Sequence, residues 1–196
     1  MYETIEKQSK IVKKILKKNK NLMLVLDYLE KLELPNFYVA SGSVFQTIWN
    51  YQDNKDLNYG IKDIDIVYYD KINLSKEHET KIEDKIIQFI SNESLNYEID
   101  IHNEARMHLW KKENENKEID QYKNSEDAIS KLIATVQAIG ITKIDGKIEV
   151  YAPYGFSDIL SKTIRPIKHE GNSSDLYYKK VKTWEKRFDK LSMIEW

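Results

Sequence analysis

The chain has 196 residues, 41% hydrophobic and 32% charged, with a net charge of −1 at pH 7, enough length to bury a core unaided and an ordinary composition for a globular fold. It has no cysteine, which excludes disulfides, thiol catalysis and Cys-ligated zinc or iron–sulfur sites. Its longest apolar run, residues 22–26, is too short to cross a bilayer, and its lysine-rich start without an apolar signal core predicts a cytoplasmic protein.

Residues 1–33 read as helix in two segments, broken near Asn19 to Asn21, with Leu22, Leu26 and Leu29 forming the apolar stripe of the second. Pro35 closes that stretch. Residues 37–40 read as a short buried strand. Ser41-Gly42-Ser43 is a turn, with Ser43 as the expected N-cap of a helix to about Tyr51. Residues 52–61 are polar and loop-like. Residues 63–69 alternate and then become apolar, as a strand entering a core does. Ser75 opens a helix to about Ile90, and residues 97–102 form another alternating strand. Residues 111–124 read as a charged, Asn-rich loop. Ser125 is the expected cap of a helix that Gly140 ends. Residues 141–151 form a hairpin around Asp145-Gly146. Ser157 caps a short helix, and the last helix, within about 174–191, aligns Tyr177, Val181, Trp184, Phe188 and Leu191. The expectation is one mixed α/β or α+β domain over 1–196, with helices against a small sheet.

Charge is unevenly spread. Residues 1–20 carry +5, residues 179–190 carry +4, and the rest sums to −10. Basic ends suit polyanions and an acidic middle suits divalent metal, although solvated helix faces give the same pattern. Of the 31 basic residues only Arg106, Arg165 and Arg187 are Arg, which hints at a need for a fixed guanidinium fork there.

The informative stretches are Gly42-Ser43, then Asp63-Ile64-Asp65-Ile66, then Ile99-Asp100-Ile101. On a strand Asp63 and Asp65 share a side, and Ile64 and Ile66 take the other. Adjacent carboxylates repel unless something positive lies between them. Oxygen ligands favour a hard cation, Mg²⁺ or Mn²⁺. If the strands are neighbours, Asp100 joins the pair, and three carboxylates can hold two cations about 3.5–4 Å apart for in-line phosphoryl or nucleotidyl transfer. Gly42 allows close backbone approach, and Ser43 with the first helical amides offers donors to a polyphosphate. Arg106 can clamp a phosphate or pair with an acid. His102, on the face of Asp100, can move a proton or serve as a hydrogen-bonded structural group.

This pattern resembles the polymerase-β-type nucleotidyltransferase superfamily, which includes the catalytic head of tRNA CCA-adding enzymes. Nearly the whole chain looks like a bacterial family of stand-alone nucleotidyltransferase-like proteins. The resemblance rests on Ala40-Ser41-Gly42-Ser43-Val44 with Thr47 and Trp49, on Lys62-Asp63-Ile64-Asp65-Ile66-Val67-Tyr68, and on Asn103-Glu104-Ala105-Arg106-Met107-His108-Leu109-Trp110. Ser125-Glu126-Asp127-Ala128 and Ala152-Pro153-Tyr154-Gly155, leading to Asp158, complete it. It implies a nucleotidyltransferase-like fold and a metal-dependent transfer of a nucleoside monophosphate from an NTP to an acceptor hydroxyl, with pyrophosphate leaving. Asp63 and Asp65 would hold both metals, Asp100 would complete the site and take the acceptor's proton, and Gly42 and Ser43 would grip the β- and γ-phosphates. The acceptor, whether tRNA, another RNA, a small molecule or a protein, is left open. One departure is the 20-position gap from Ser43 to Asp63, longer than the superfamily's usual spacing, with the excess in residues 52–61. Two other readings compete: a nucleotide- or RNA-binding module without turnover, and a carboxylate two-metal phosphodiesterase.

Overall fold

The computed structural model describes residues 4–196; the part of the N-terminal helical expectation on residues 1–3 lies outside them. Two helices open the described chain, α1 (Ile5–Leu16) and α2 (Lys20–Lys31). Asn19 caps the second by accepting from the Leu22 amide at 3.1 Å, which explains the break at that position. Then come β1 (Tyr38–Ala40), α3 (Gly42–Gln52), β2 (Asp63–Tyr68), α4 (Lys76–Asn92) and β3 (Glu98–Asn103). A single 3-10 turn, Glu104–Arg106, leads into α5 (Met107–Glu115). α6 (Ser125–Ser130), β4 (Gly140–Ile144), β5 (Lys147–Tyr151), α7 (Ser157–Leu160), β6 (Thr163–Ile164), α8 (Ser174–Glu185) and β7 (Ser192–Met193) complete the order.

Five strands form one mixed sheet in the order β3-β2-β1-β4-β5, with β2 and β3 parallel and the other neighbours antiparallel. The architecture is α+β, a small mixed sheet packed with helices. The register puts Val39 opposite both Ile66 and Ile141. That face, which also holds Ile64, joins one apolar core with Leu22, Leu26 and Leu29 of α2 and Ile82, Ile86 and Ile90 of α4. The opposite face carries Ala40, Asp65 and Asp100 side by side. Strand alternation therefore separates the fold's two jobs: one face excludes water and the other displays carboxylates.

α3 is fixed by an aromatic cluster. Trp49 is fully buried, donates its indole N–H to the Ile159 carbonyl at 2.9 Å, and meets Phe45 and Phe188 edge-on at 4.8 and 5.1 Å. The stripe read in α8 is present as Tyr177, Val181 and Trp184, with buried Phe188 just beyond the helix. The Tyr177 hydroxyl donates to Ile164 (3.0 Å) and Ile194 (2.7 Å) carbonyls beside the two-stranded β6–β7 pair.

Several local expectations are corrected. α3 starts two residues earlier than expected, and its N-cap position is Ser41, not Ser43. The stretch 111–124 is not all loop, since α5 runs to Glu115. Asn124, not Ser125, caps α6, accepting from the Asp127 amide at 2.7 Å. That helix ends at Ser130, and Gly140 begins β4 instead of ending a helix. A Cβ on Gly140 would lie 2.8 Å from Ile129 Cδ1 and 3.0 Å from Tyr38 Cδ1, so the glycine serves close packing. Ser157 is the first residue of α7 rather than its cap, and its hydroxyl accepts from Gln8 Nε2 at 3.1 Å. The hairpin turn at Asp145-Gly146 has φ of +49° and +72°, as a two-residue primed turn requires. The long connection after α3 packs away from the acids: Asn50 holds the Leu57 and Tyr59 carbonyls at 3.1 and 2.9 Å, and Arg187 donates to the Gly60 carbonyl. Among the described residues no helix is long and apolar enough to cross a membrane.

Candidate active site

Asp65 and Asp100 are direct partners across the parallel β2–β3 pair, and Asp63 lies opposite Glu98 two positions away on the same face. Neighbouring strands run about 4.8 Å apart, so the register alone brings the carboxylates of Asp65 and Asp100 together. Their environments pull them in opposite directions. Asp65 is half-buried, and its carboxyl is pushed up to about 6, by burial first and then by the charges of Asp63 and Asp100; the Gly42 amide and Lys180 oppose this without overcoming it. Asp100 is held below the usual carboxylate range because His102 Nε2 donates to its Oδ1 at 2.9 Å, with Lys180 adding to the effect. For His102, burial disfavours the charged ring, but the bond to Asp100 and the charges of Asp100, Glu104 and Glu79 outweigh it and raise its pKa.

The turn into α3 lies beside these acids. Ser41 has φ +53° and ψ −120°, a left-handed conformation rare outside glycine. It is held by its amide, which donates to the Ile139 carbonyl at 2.9 Å, and by its hydroxyl, which accepts from Gln137 Nε2 at 3.2 Å. The next amide, of Gly42, faces Asp65 Oδ2 at 3.4 Å. A Cβ on Gly42 would lie 3.0 Å from Gln46 Nε2 and 3.8 Å from that oxygen, so glycine permits the close approach. The N-terminus of an 11-residue helix thus points its amides and dipole at the acidic cluster. Ser43 is buried, and its hydroxyl turns back to the Ala40 carbonyl at 3.4 Å. Thr47 donates to the Ser43 carbonyl at 2.8 Å and accepts from Asn19 at 3.0 Å. What this turn offers an anion is therefore backbone amide, not the Ser43 hydroxyl.

Arg106 is not brought to the acids. Its guanidinium is buried, donating to Glu79 Oε1 and to the Leu74 carbonyl, each at 3.1 Å. Glu79 in turn accepts from the Asn103 amide at 2.7 Å, so this ion pair locks the end of β3 to α4. Asp158, reached from the Ala152 motif, is likewise structural: it accepts from Thr135 at 2.8 Å and from Arg165 at 3.0 Å.

A cavity of about 620 Å³ opens from Asp65 and Asp100 along the sheet face, past His102 and Glu104, between Trp110 and Tyr122. Lys180 of α8 lies on its wall and acts on both acids. Asp63, Gly42 and Ser43 lie outside it. Sequence reasoning passed over Glu104, Gln137, Trp110, Tyr122 and Lys180. Lys180 belonged to the basic 179–190 run and Glu104 to a quoted motif, but neither carries a sequence signal of facing the site.

The donor set suits a hard divalent cation in kind: three carboxylates on one face, with the middle one destabilised as an anion by its neighbours, a repulsion that a cation would relieve. As placed, no three His, Asp or Glu groups among the described residues are gathered closely enough to hold one ion. Ligation of one ion by all three carboxylates would therefore require their side chains to move.

No curated protein matches the chain. Among solved structures it is similar to one described as revealing a CCA-adding enzyme head domain, with 25% identity, a TM-score of 0.78, and coverage of 94% of this chain and 95% of that one. A nucleotidyltransferase family model matches residues 27–193, a span holding Gly42, Asp63, Asp65, Asp100 and Lys180, and the chain belongs to that nucleotidyltransferase family, of polymerase-β-like type.

Proposed function

We propose that the protein transfers a nucleotidyl group from an NTP to an acceptor hydroxyl with the help of Mg²⁺ or Mn²⁺. The observation that carries this reading is the pairing of Asp65 with Asp100 beside the N-terminus of α3. A divalent cation held by Asp63, Asp65 and Asp100 would supply charge neutralisation for the polyphosphate. The amides of Gly42 and Ser43 take the β- and γ-phosphates, where helix dipole and donors favour an anion. Lys180 adds positive charge over the same acids. The acceptor oxygen attacks the α-phosphorus, the bond from that phosphorus to the bridging oxygen of the β-phosphate breaks, and pyrophosphate departs. The hydroxyl proton passes to Asp100. Lysine-rich helices at both ends of the sequence suit an RNA acceptor, but α1 spends part of its charge on the protein itself, pairing Lys13 with Glu149 and Lys10 with Glu6, each at 2.7 Å.

The test is incubation with each of four labelled NTPs and Mg²⁺ or Mn²⁺, with and without bulk tRNA, following label transfer and pyrophosphate release. Transfer with release that Asp65→Asn abolishes supports the reading. NTP binding without release would favour a non-catalytic module, and nucleic-acid cleavage would favour a phosphodiesterase.

A further inference from the structure

The cavity beyond Asp100 is not explained by the phosphate and metal chemistry. Its wall takes in Ala40 and Ser41 of the turn before α3 together with Asp65 and Asp100, and then runs on well past that pair. Glu104, 5% exposed, lies on this wall, and its side chain has no hydrogen bond or ion pair. Neither carboxyl oxygen is fully sealed from solvent, so the carboxylate opens into the cavity, where a ligand can partner it. Burial first, and then the charges of Glu79 and Asp100, push this carboxyl up to about 7 against the pull of His102 and Lys111; a cation in the cavity would reverse that.

The rest of the wall has the same preference. Asp120 and Glu170 line the cavity without an ion pair. Three of the wall lysines are already engaged by carboxylates outside it: Lys111 and Lys117 by Glu115 at 2.7 and 3.3 Å, and Lys131 by Asp127 at 3.1 Å. The remaining lysine, Lys180, sits at the Asp65–Asp100 end. The aromatic walls already attract ammonium groups, with Lys111 Nζ 5.3 Å from the Trp110 ring centre and Lys131 Nζ 5.0 Å from that of Tyr122, as cation–π attraction favours. Along the whole wall six carboxylates, of Asp65, Asp100, Glu104, Glu118, Asp120 and Glu170, stand against four lysines. That balance disfavours a second polyanion and suits an ammonium.

We propose, resting on the nucleotidyl-transfer reading, that this cavity is the acceptor subsite, and that it takes a small hydroxylated amine whose ammonium group Glu104 receives while a hydroxyl reaches Asp100. From Asp100 to Glu104 is four residues, at most about 13 Å of extended chain, and the volume falls within the range of small-molecule pockets. Both dimensions suit a molecule of about two sugar rings.

The test pairs two sugars of one skeleton, the fully deacetylated chitosan disaccharide and cellobiose, which differ in carrying an ammonium or a hydroxyl at the same carbon. Each is titrated into the full chain without nucleotide or metal, following the amides of Glu104 and Tyr122 by NMR. The aminated sugar should shift these amides at a concentration at least tenfold below any effect of cellobiose. Glu104→Gln should weaken the aminated sugar at least tenfold while leaving ATP-with-metal shifts at residues 42–45 unchanged, and Asp120→Asn should weaken it less. Equal response to both sugars, no response to the aminated one, or unchanged binding by Glu104→Gln overturns the proposal. So does adenosine shifting these amides at lower concentration than the aminated sugar, which would make this a nucleoside pocket. If the sugars behave as expected but ATP with metal leaves residues 42–45 unmoved, the nucleotidyl-transfer reading fails and the amine site stands.

Discussion

α3 and α5 flank the same pair of carboxylates and are built in opposite ways. α3 buries eight consecutive side chains, from Ser43 to Asn50, and its Trp49 is locked among Phe45, Trp184 and Phe188. α5 buries none of its nine residues. Buried contacts decide which elements open with the whole protein and which open locally. The turn before α3 is therefore held by a helix buried along most of its length. The wall of the cavity is attached mainly at its start, through the buried Arg106–Glu79 pair.

The largest break in this comparison comes from its two tryptophans. Trp49→Ala should cost about 3–5 kcal/mol of unfolding free energy in denaturant titration, whereas Trp110→Ala should change it by only about 0.5 kcal/mol. Comparable losses would mean that α5 is anchored as firmly as α3. The second test concerns the acids between them. Saturating Mg²⁺ or Mn²⁺ should raise the melting temperature, by an amount equivalent to about 2.7 kcal/mol at a hundred times the Kd. Asp65→Asn should lose most of that rise while starting from an equal or slightly higher metal-free value, because it removes the crowded charge. An unchanged metal response would mean that the three acids do not share a site.

A third prediction sharpens the cavity side. Glu104 has a folded pKa of about 7 against an ordinary value of 4.5. The folded state therefore binds its proton more tightly than the unfolded state, so this group costs nothing below about pH 4.5, costs progressively more up to about 7, and costs a constant amount above it. Glu104→Gln should match the wild type in thermal stability at pH 4 and exceed it at pH 8, by about 1–2 kcal/mol; parallel profiles would mean that the carboxyl is not titrating there. The smallest effect lies on the rigid side. Ser41 holds a glycine-like backbone conformation, so Ser41→Gly should be more stable than Ser41→Ala by about 1 kcal/mol in denaturant titration; equal stabilities would mean that the positive φ relaxes at no cost.

What the sequence made legible follows from period and punctuation. Asp63 and Asp65 could be placed on one face because strands alternate, with Asp100 joining them only if its strand is a neighbour, and the hairpin could be placed because Asp145-Gly146 is a primed turn. The pairing of Asp65 with Asp100 in particular is a matter of tertiary register, which no local pattern carries. α5 was hidden because a helix that buries nothing has no apolar stripe to reveal it. Gly140 misled for a related reason: its lack of a Cβ is needed by Tyr38 and Ile129, distant in sequence, whereas the local reading supplied a helix end. Arg106 does supply a fixed fork, as its rarity suggested, but onto Glu79 of α4 and not into the site. β6 and β7, at two residues each, are too short to leave a periodic signal. Glu104 reads as an ordinary acid until the fold buries it.

Lys180 carries one more consequence. It sits on α8 between Tyr177 and Val181, whose side chains are buried in the core, and it extends into a cavity whose opposite side begins at Ala40. The turn before α3 and the acidic strands all lie before residue 104, so on a ribosome they emerge well before Lys180. Until α8 docks, Asp65 and Asp100 face each other without that countercharge, and the cavity lacks a wall. Assembly of the site is therefore a late, long-range event in folding, and a nascent chain could bury its sheet well before it could hold a substrate.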